Sequence, residues 1–256
     1  MSVLTHLQDT VTAIKIADWE RTAIDTSIAT LSTKLGNHFN NLHSKFVFGS
    51  YDRRTILRRS KDANSDVDYM VVFNDGADYK PQTLMTRLKT FAESNYSKNE
   101  IYQSSPTIVL ELGHIKFELA PAYVSWGTYY IPAPASSYSD WISTNPSGMK
   151  TDLENKHKNN NYVIRDLIQI LKYWNVNNGK VYSSYELEKF VLDKTFWFCT
   201  NLKDYFYSAV EGLSTWNLPD FKKTKVENLK TIVTNTKKCE ADGMPNTAEA
   251  EIKKAI

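Results

Sequence analysis

The sequence predicts an α+β fold: a mixed sheet with flanking helices, a long helix at the N-terminus, and a helical lobe in the second half. Three observations predict it. Asp66-Val67-Asp68 opens the run Tyr69-Met70-Val71-Val72-Phe73, rich in the β-branched and aromatic residues that strands favour. Residues Thr107 to Ala122 form two apolar-rich runs joined at Gly113-His114, the pattern of a β-hairpin. Between Val163 and Trp174, the residues Val163, Ile164, Leu167, Ile168, Ile170, Leu171 and Trp174 make one broad helical stripe.

In chain order, Val3, Leu7, Val11 and Ile14, then Ile24, Ile28, Leu31 and Leu35, recur at helical spacing. Residues 2–35 therefore read as one long helix, and 36–130 as the sheet with its helices. The segment Ile131-Pro132-Ala133-Pro134-Ala135-Ser136-Ser137 reads as a connection between lobes, dividing the chain into 1–135 and 136–256. From Trp141 onward helices are expected, among them 162–175, 184–201 and 203–212. Asn159-Asn160-Asn161 and Asn177-Asn178-Gly179 mark loops. No internal repeat is present, and Lys254-Ala255-Ile256 carries no capping residue, which reads as a trimmed end or a flexible tail.

A chain of 256 residues can hold one large domain or two lobes. A net charge of +2 argues against an extensive nucleic-acid footprint. The local exception is Arg53, Arg54, Arg58, Arg59 and Lys61, either a solvated loop or a group that attracts phosphates. Only Cys199 and Cys239 occur, so neither a disulfide framework nor a Cys-x₂-Cys zinc ribbon is expected. No apolar stretch approaches a membrane span and no signal-peptide pattern opens the chain, so a cytoplasmic protein is expected.

Chemistry concentrates at two places. Gly49-Ser50 closes the apolar stretch Phe46-Val47-Phe48, and a Gly-Ser turn lets backbone approach a phosphate closely. Fifteen residues later, Asp66 and Asp68 stand at i and i+2 of a strand and project from the same face. Paired carboxylates stay ionised together when a cation neutralises them, and Mg²⁺ suits one or two carboxylates plus substrate phosphates. A turn cap at Asp66 with a solvated Asp68 is the plainer reading, which the Gly-Ser turn and the buried-looking strand disfavour. For a third acid, a two-residue turn at Gly113-His114 pairs Leu112 with Ile115, Glu111 with Lys116 and Val109 with Glu118. Glu111 is then explained by a cross-strand ion pair with Lys116, and Glu118 is the better metal ligand, against the alternative of an exposed strand glutamate. In the second half, Lys172 falls just outside the apolar stripe, beyond Ile168, as a residue able to reach a triphosphate or as an ordinary surface lysine. Ser183 and Glu186 fit a capping box, which puts Ser184 in the first turn of the next helix, as a phosphate contact or merely a helix starter.

These residues resemble a known group. Gly49-Ser50-Tyr51 with Thr55, Asp66-Val67-Asp68 and Glu118-Leu119-Ala120-Pro121-Ala122 are similar to the motifs of polymerase-β-like nucleotidyltransferases. Within them the likeness is to the cGAS/DncV-like nucleotidyltransferases (CD-NTases), whose helical-domain signature Leu171-Lys172-Tyr173-Trp174-Asn175 and Ser184-Tyr185-Glu186-Leu187-Glu188 resemble. The resemblance covers about residues 40–195, with a weaker echo near Pro245 to Ile256. It departs at Glu118, usually Asp in the family, and at Phe48, where several relatives carry a polar residue.

The resemblance implies a polymerase-β-like core with an N-terminal spine helix. It implies a site of two Mg²⁺ ions, with Mn²⁺ as substitute, on Asp66, Asp68 and Glu118, and a nucleotide held by Gly49, Ser50, Lys172, Ser184 and Tyr185. The substrates would be nucleoside triphosphates (ATP, GTP, UTP or CTP), and the product a cyclic di- or trinucleotide messenger of antiphage defence (CBASS), with accessory or effector proteins as partners. No DNA activator is expected, because the dsDNA-sensing relatives use a zinc element absent here, and no membrane partner is expected. Two rival readings share some of these motifs: an enzyme making linear oligonucleotides or extending RNA ends, and a non-catalytic nucleotide-binding regulator. The intact Asp-x-Asp and the carboxylate at 118 speak against the regulator.

Overall fold

The computed structural model describes residues 2–133 and 140–256. In chain order its elements are α1 (Val3–Ile14), α2 (Asp18–His38), β1 (Leu42–Phe48), α3 (Gly49–Asp52), β2 (Asp66–Phe73), α4 (Pro81–Asn95), β3 (Glu100–Ser104), β4 (Thr107–Leu112), β5 (Ile115–Ser125), β6 (Thr128–Pro132) and β7 (Trp141–Thr144). There follow α5 (Pro146–Asn159), α6 (Ile164–Asn177), α7 (Ser184–Asp193), α8 (Leu202–Glu211), α9 (Asp220–Ala241) and α10 (Pro245–Ile252). The chain forms two compact units, Ile16–Thr151 and Met1–Lys15 with Asp152–Ile256.

The first unit is built on a mixed sheet in the order β1-β2-β5-β4-β3, extended by β6 on β5 and β7 on β6. β2 and β5 run parallel, and the other pairings are antiparallel. Val67, Tyr69, Val71, Phe73, Ile115, Phe117 and Leu119 face a core completed by α2 and α4 through Ile24, Leu31, Leu35, Leu84, Leu88 and Phe91. One sheet face is therefore apolar and covered, which sends the alternate side chains, Asp66, Asp68, Lys116 and Glu118, to the other. The β4–β5 hairpin has the expected register: Leu112 opposite Ile115, Glu111 opposite Lys116 and Val109 opposite Glu118.

The N-terminal helix expected over 2–35 is interrupted. α1 buries Val3, Leu7, Val11 and Ile14, and α2 buries Ile24, Leu31 and Leu35, as the spacing predicts. Between them Lys15 and Ala17 are extended, and the Glu20 carboxylate accepts the Ala17 N–H at 2.8 Å, starting a new helix. α1 packs with α6, α8 and α10 in the second unit, while α2 belongs to the first.

The units divide at Lys15/Ile16 and Thr151/Asp152 rather than at 135/136. The Pro- and Ser-rich connection falls mostly on residues 134–139, outside the described residues. Beyond it, Trp141–Thr144 is not helical but a strand paired with β6, which keeps the chain in the sheet unit to α5. Trp, Ile and Thr are strand formers, a local preference outweighed in the sequence by the helical pattern downstream.

In the second unit α6 lies against α1, α7 and α8. It buries its apolar stripe and also Gln169, Lys172 and Asn175. The helix expected over 184–201 ends at Asp193. Lys194 turns extended, and Phe198 at φ 57° has a left-handed backbone that no α-helix accommodates. The capping box is present: Ser183 Oγ accepts the Glu186 N–H at 3.1 Å, and the Glu186 carboxylate accepts the Ser183 N–H at 2.8 Å. Replacing Ser183 with Ala should lower stability by about 1 kcal/mol, read as a shifted urea midpoint with an unchanged slope. A smaller shift than a few tenths would show that the box does not hold α7.

Candidate active site

The parallel register of β2 and β5 builds the site. It sets Asp66 beside Lys116 and Asp68 beside Glu118, all four on the sheet face opposite the core. On the other flank of β2, Phe48 pairs with Asp68, and the chain turns at Gly49 into α3. Gly49 has φ +70°, and a Cβ on it would lie 1.8 Å from Asp68 Oδ2. Only glycine fits there, because backbone conformation and the adjacent carboxylate both exclude a side chain. The Ser50 carbonyl accepts the N–H groups of Thr55 and Ile56 at 2.9 and 3.2 Å, which closes the turn. Thr55 is fully buried and belongs to that closure. Tyr51 donates to the Asp25 carboxylate at 2.7 Å and so ties α3 to α2, while Lys150 of α5 holds Asp52 at 2.7 Å.

The hairpin register sets Lys116 opposite Glu111, the pairing the sequence predicts. Its Nζ instead lies 3.4 Å from Asp66 and 3.2 Å from Glu118. Glu111 pairs with Arg59, whose guanidinium also donates to the Leu112 carbonyl at 3.3 Å. The cause is the strand period: Lys116 and Glu118 are i and i+2 on one face, and the parallel neighbour adds Asp66. Glu118 therefore has partners, Lys116 and the Thr107 hydroxyl, which donates at 3.3 Å. Of the basic loop, Arg58 pairs with Glu20 at 3.1 Å and Arg59 with Glu111, so these two brace the loop between Gly49-Ser50 and Asp66. Ser65, just before Asp66, donates to the Leu57 carbonyl at 2.7 Å and fixes the other end of it.

Electrostatics follow from this packing. Burial, then the charge of Glu118, pushes the Asp66 carboxyl up to about 6, against the pull of Lys116. Burial by itself would lower the Lys116 amine, but the two carboxylates outweigh it and hold the amine above the usual lysine value.

The donor set is all oxygen, which fits a hard divalent cation. Among the described residues no group of three or more His, Cys, Asp or Glu converges as a ready cage. Asp66 and Asp68 could offer Mg²⁺ the one or two carboxylates it ordinarily takes from protein when phosphates complete its shell, and Glu118 stands next in register.

Lys172 does not leave the core as its helical angle suggested. It is 4% exposed, and its ammonium pairs with Glu188, itself fully buried. The reason is α7, which packs on α6 and brings Glu188 over the position that the stripe left open. Ser184 and Tyr185 are exposed on the first turn of α7. Sequence reasoning missed the roles of Lys116, Thr107, Arg59 and Glu188. For Lys116 the signal was present in its i−2 position from Glu118. The others needed pairings distant in the chain.

A parallel strand pair carrying Asp-x-Asp beside a third carboxylate, flanked by a Gly-Ser turn, is the arrangement that the sequence resemblance implies for a nucleotidyltransferase core. Residues 1–159 match the family model of the second messenger oligonucleotide or dinucleotide synthetase domain. The chain belongs to this family, the CD-NTases. It is similar to a probable cyclic nucleotide synthase of Bacillus cereus, 27% identical over 57% of this chain and 54% of the relative. It is also similar to a cyclic AMP-AMP-AMP synthase of an Acinetobacter species, 24% identical over 57% of this chain and 43% of the relative. The chain thus spans about half the length of the curated relatives it matches. The fold is shared with CdnG of Bradyrhizobium diazoefficiens solved with GTP, at a TM-score of 0.71 and 9% identity over 97% of this chain and 96% of that one. Among the described residues no helix is long and apolar enough to cross a membrane.

Two outcomes are expected. Gly49→Ala should lower the activity of this site on the order of 100-fold, since a misplaced reacting group costs that much, while the circular dichroism spectrum stays that of the folded protein. Retained activity would mean that Asp68 need not stay where it is. The folded-state value of Asp66 lies above that of a free aspartate near 3.9. The folded protein therefore holds a proton that the unfolded chain releases, and the stability linked to this group is full below about pH 4 and lost as pH rises through about 6. In metal-free buffer, Asp66→Asn should flatten the fall in Tm across that window. Parallel Tm profiles for the two proteins would contradict the raised value.

Proposed function

We propose that this chain joins nucleoside triphosphates into a cyclic di- or trinucleotide by divalent-metal-dependent nucleotidyl transfer. The observation that carries the reading is Asp68 held between Gly49 and Glu118, with Asp66 two residues away on the same face. Asp66 and Asp68 would hold two Mg²⁺ ions, for which Mn²⁺ can substitute, with Glu118 completing the site toward the acceptor hydroxyl. Bound there, such ions lower the pKa of the attacking hydroxyl and neutralise the leaving pyrophosphate.

The chain's own groups do the positioning. Gly49 leaves room for the Asp68 carboxylate, and the Ser50 turn, tied through Thr55 and Tyr51, would offer the Ser50 hydroxyl to the donor phosphates. Ser184 and Tyr185, exposed at the start of α7, are assigned to the triphosphate on the family resemblance. Lys172, buried and paired with Glu188 further along α7, would act through the position of that helix rather than by contact with the phosphates. A ribose hydroxyl of one nucleotide attacks the α-phosphate of another, and positioning supplies much of the rate. The relatives named as cyclic nucleotide synthases support a cyclic product; a messenger role in antiphage defence (CBASS), with accessory or effector proteins as partners, is what the family resemblance implies. ATP, GTP, UTP and CTP are all substrates to be tried.

Incubation with labelled nucleotide combinations and Mg²⁺, then phosphatase and mass analysis, should reveal a phosphatase-resistant cyclic product. A ladder trimmed by phosphatase would point to linear products instead, and no product at all would favour a regulator. Asp66→Asn with Asp68→Asn should abolish pyrophosphate release. Glu118→Gln should slow it on the order of 100-fold, whereas Glu111→Gln, which removes the charge partner of Arg59, should mainly cost about 1 kcal/mol of stability. The reverse order for the two glutamates would reassign the third acid.

A further inference from the structure

Lys116 stands in the middle of the carboxylates. Its side chain is 13% exposed, and its ammonium reaches Asp66 at 3.4 Å and Glu118 at 3.2 Å. Glu111, directly across the hairpin, is paired with Arg59, and Lys116 is left to Asp66 and Glu118. Asp66, Asp68 and Glu118 carry three negative charges on two adjacent strands, and carboxylates this close need a cation to remain ionised together. The polypeptide supplies one.

We propose that Lys116 is a resident counter-cation of the catalytic carboxylates, which keeps the nucleotide-free site from holding a divalent ion tightly, so that the ion enters with the triphosphate. The inference rests on the metal-dependent reading above and adds an order of events to it. A divalent ion entering alone must repel or displace an ammonium from two of its carboxylates. An ion arriving with a triphosphate brings part of its own oxygen shell and extra negative charge, which offset that competition. Lysine suits the task because its ammonium is a point charge on a flexible four-carbon stem, able to swing off Asp66 while remaining near Glu118. An arginine would instead lock a carboxylate with paired donors. Glu118 has a double role on this view: it stations Lys116 in the empty site and faces the ion in the loaded one. Its longer side chain, compared with the family's usual aspartate, spans both.

The test is Mn²⁺ binding to the nucleotide-free protein, followed by electron paramagnetic resonance, and repeated with a non-hydrolysable nucleoside triphosphate analogue. Lys116→Met and Lys116→Gln should each bind Mn²⁺ alone at least tenfold more tightly than the unaltered protein. Glutamine keeps N–H donors for the two carboxylates, so the measurement survives if the methionine variant folds poorly. Lys116→Arg should bind no more tightly than the unaltered protein. The analogue should strengthen Mn²⁺ binding more in the unaltered protein than in the two neutral variants. If neutral variants bind Mn²⁺ as weakly as the unaltered protein while Asp68→Asn weakens binding further, Lys116 is only a structural ion pair and the proposal falls, with the metal site intact. If Asp68→Asn leaves Mn²⁺ binding unchanged in every background, the metal-site reading itself falls and takes the proposal with it.

Discussion

The parallel pairing of β2 with β5 is the constraint on which the rest depends. The two strands are separated by α4 and the β3–β4 ladder in sequence, yet hydrogen bonds hold them so that Asp68 stands beside Glu118 and Asp66 beside Lys116. A shift of one residue would turn these side chains into the core and bring Val67 and Phe117 to the reactive face. Val67, Tyr69, Phe117 and Leu119, all but fully buried against α2 and α4, therefore secure the register from the opposite side of the sheet. Core packing and site geometry are two consequences of the same alternation.

Around that pairing the chain has placed several ties with the same effect. The turn after β1 is closed by hydrogen bonds to the Ser50 carbonyl, anchored by Tyr51 on Asp25 and by Asp52 on Lys150. The loop from Arg53 to Ser65 is held by Arg58 on Glu20, Arg59 on Glu111 and Ser65 on Leu57. A positive loop that could have served only to attract phosphate thus has two arginines engaged in bracing. Reacting groups must be held closely for positioning to lower a barrier, and loops are the elements least able to hold them unaided.

Much of this was legible in the sequence. The i, i+2 spacing of Asp66 and Asp68, the hairpin register about Gly113-His114, the capping box at Ser183 and the apolar stripe of α6 each rest on contacts within a few residues, where periodicity decides. The failures share the opposite cause. The hairpin register points Glu111 at Lys116, but its partner is Arg59, from a loop some fifty residues away. Lys172 was placed outside the core by its angle on one helix, and the burial comes from Glu188 on another. Helical spacing on either side of Lys15 to Ala17 reads as one long helix, whereas α1 and α2 pack in different units.

The sequence by itself therefore determined which residues could do chemistry: two aspartates on one strand face, a glycine-serine turn, a third acid on a hairpin, and a capped helix with an exposed serine. Local hydrogen-bonding and side-chain period suffice for that, since both are written into consecutive residues. Only the tertiary structure decided how these groups are charged and neighboured. The parallel alignment of strands distant in the chain put Lys116 between Asp66 and Glu118, and the packing of α7 on α6 turned Lys172 inward. Electrostatic energy depends on distance in space and on burial, and neither is a property of separation along the chain.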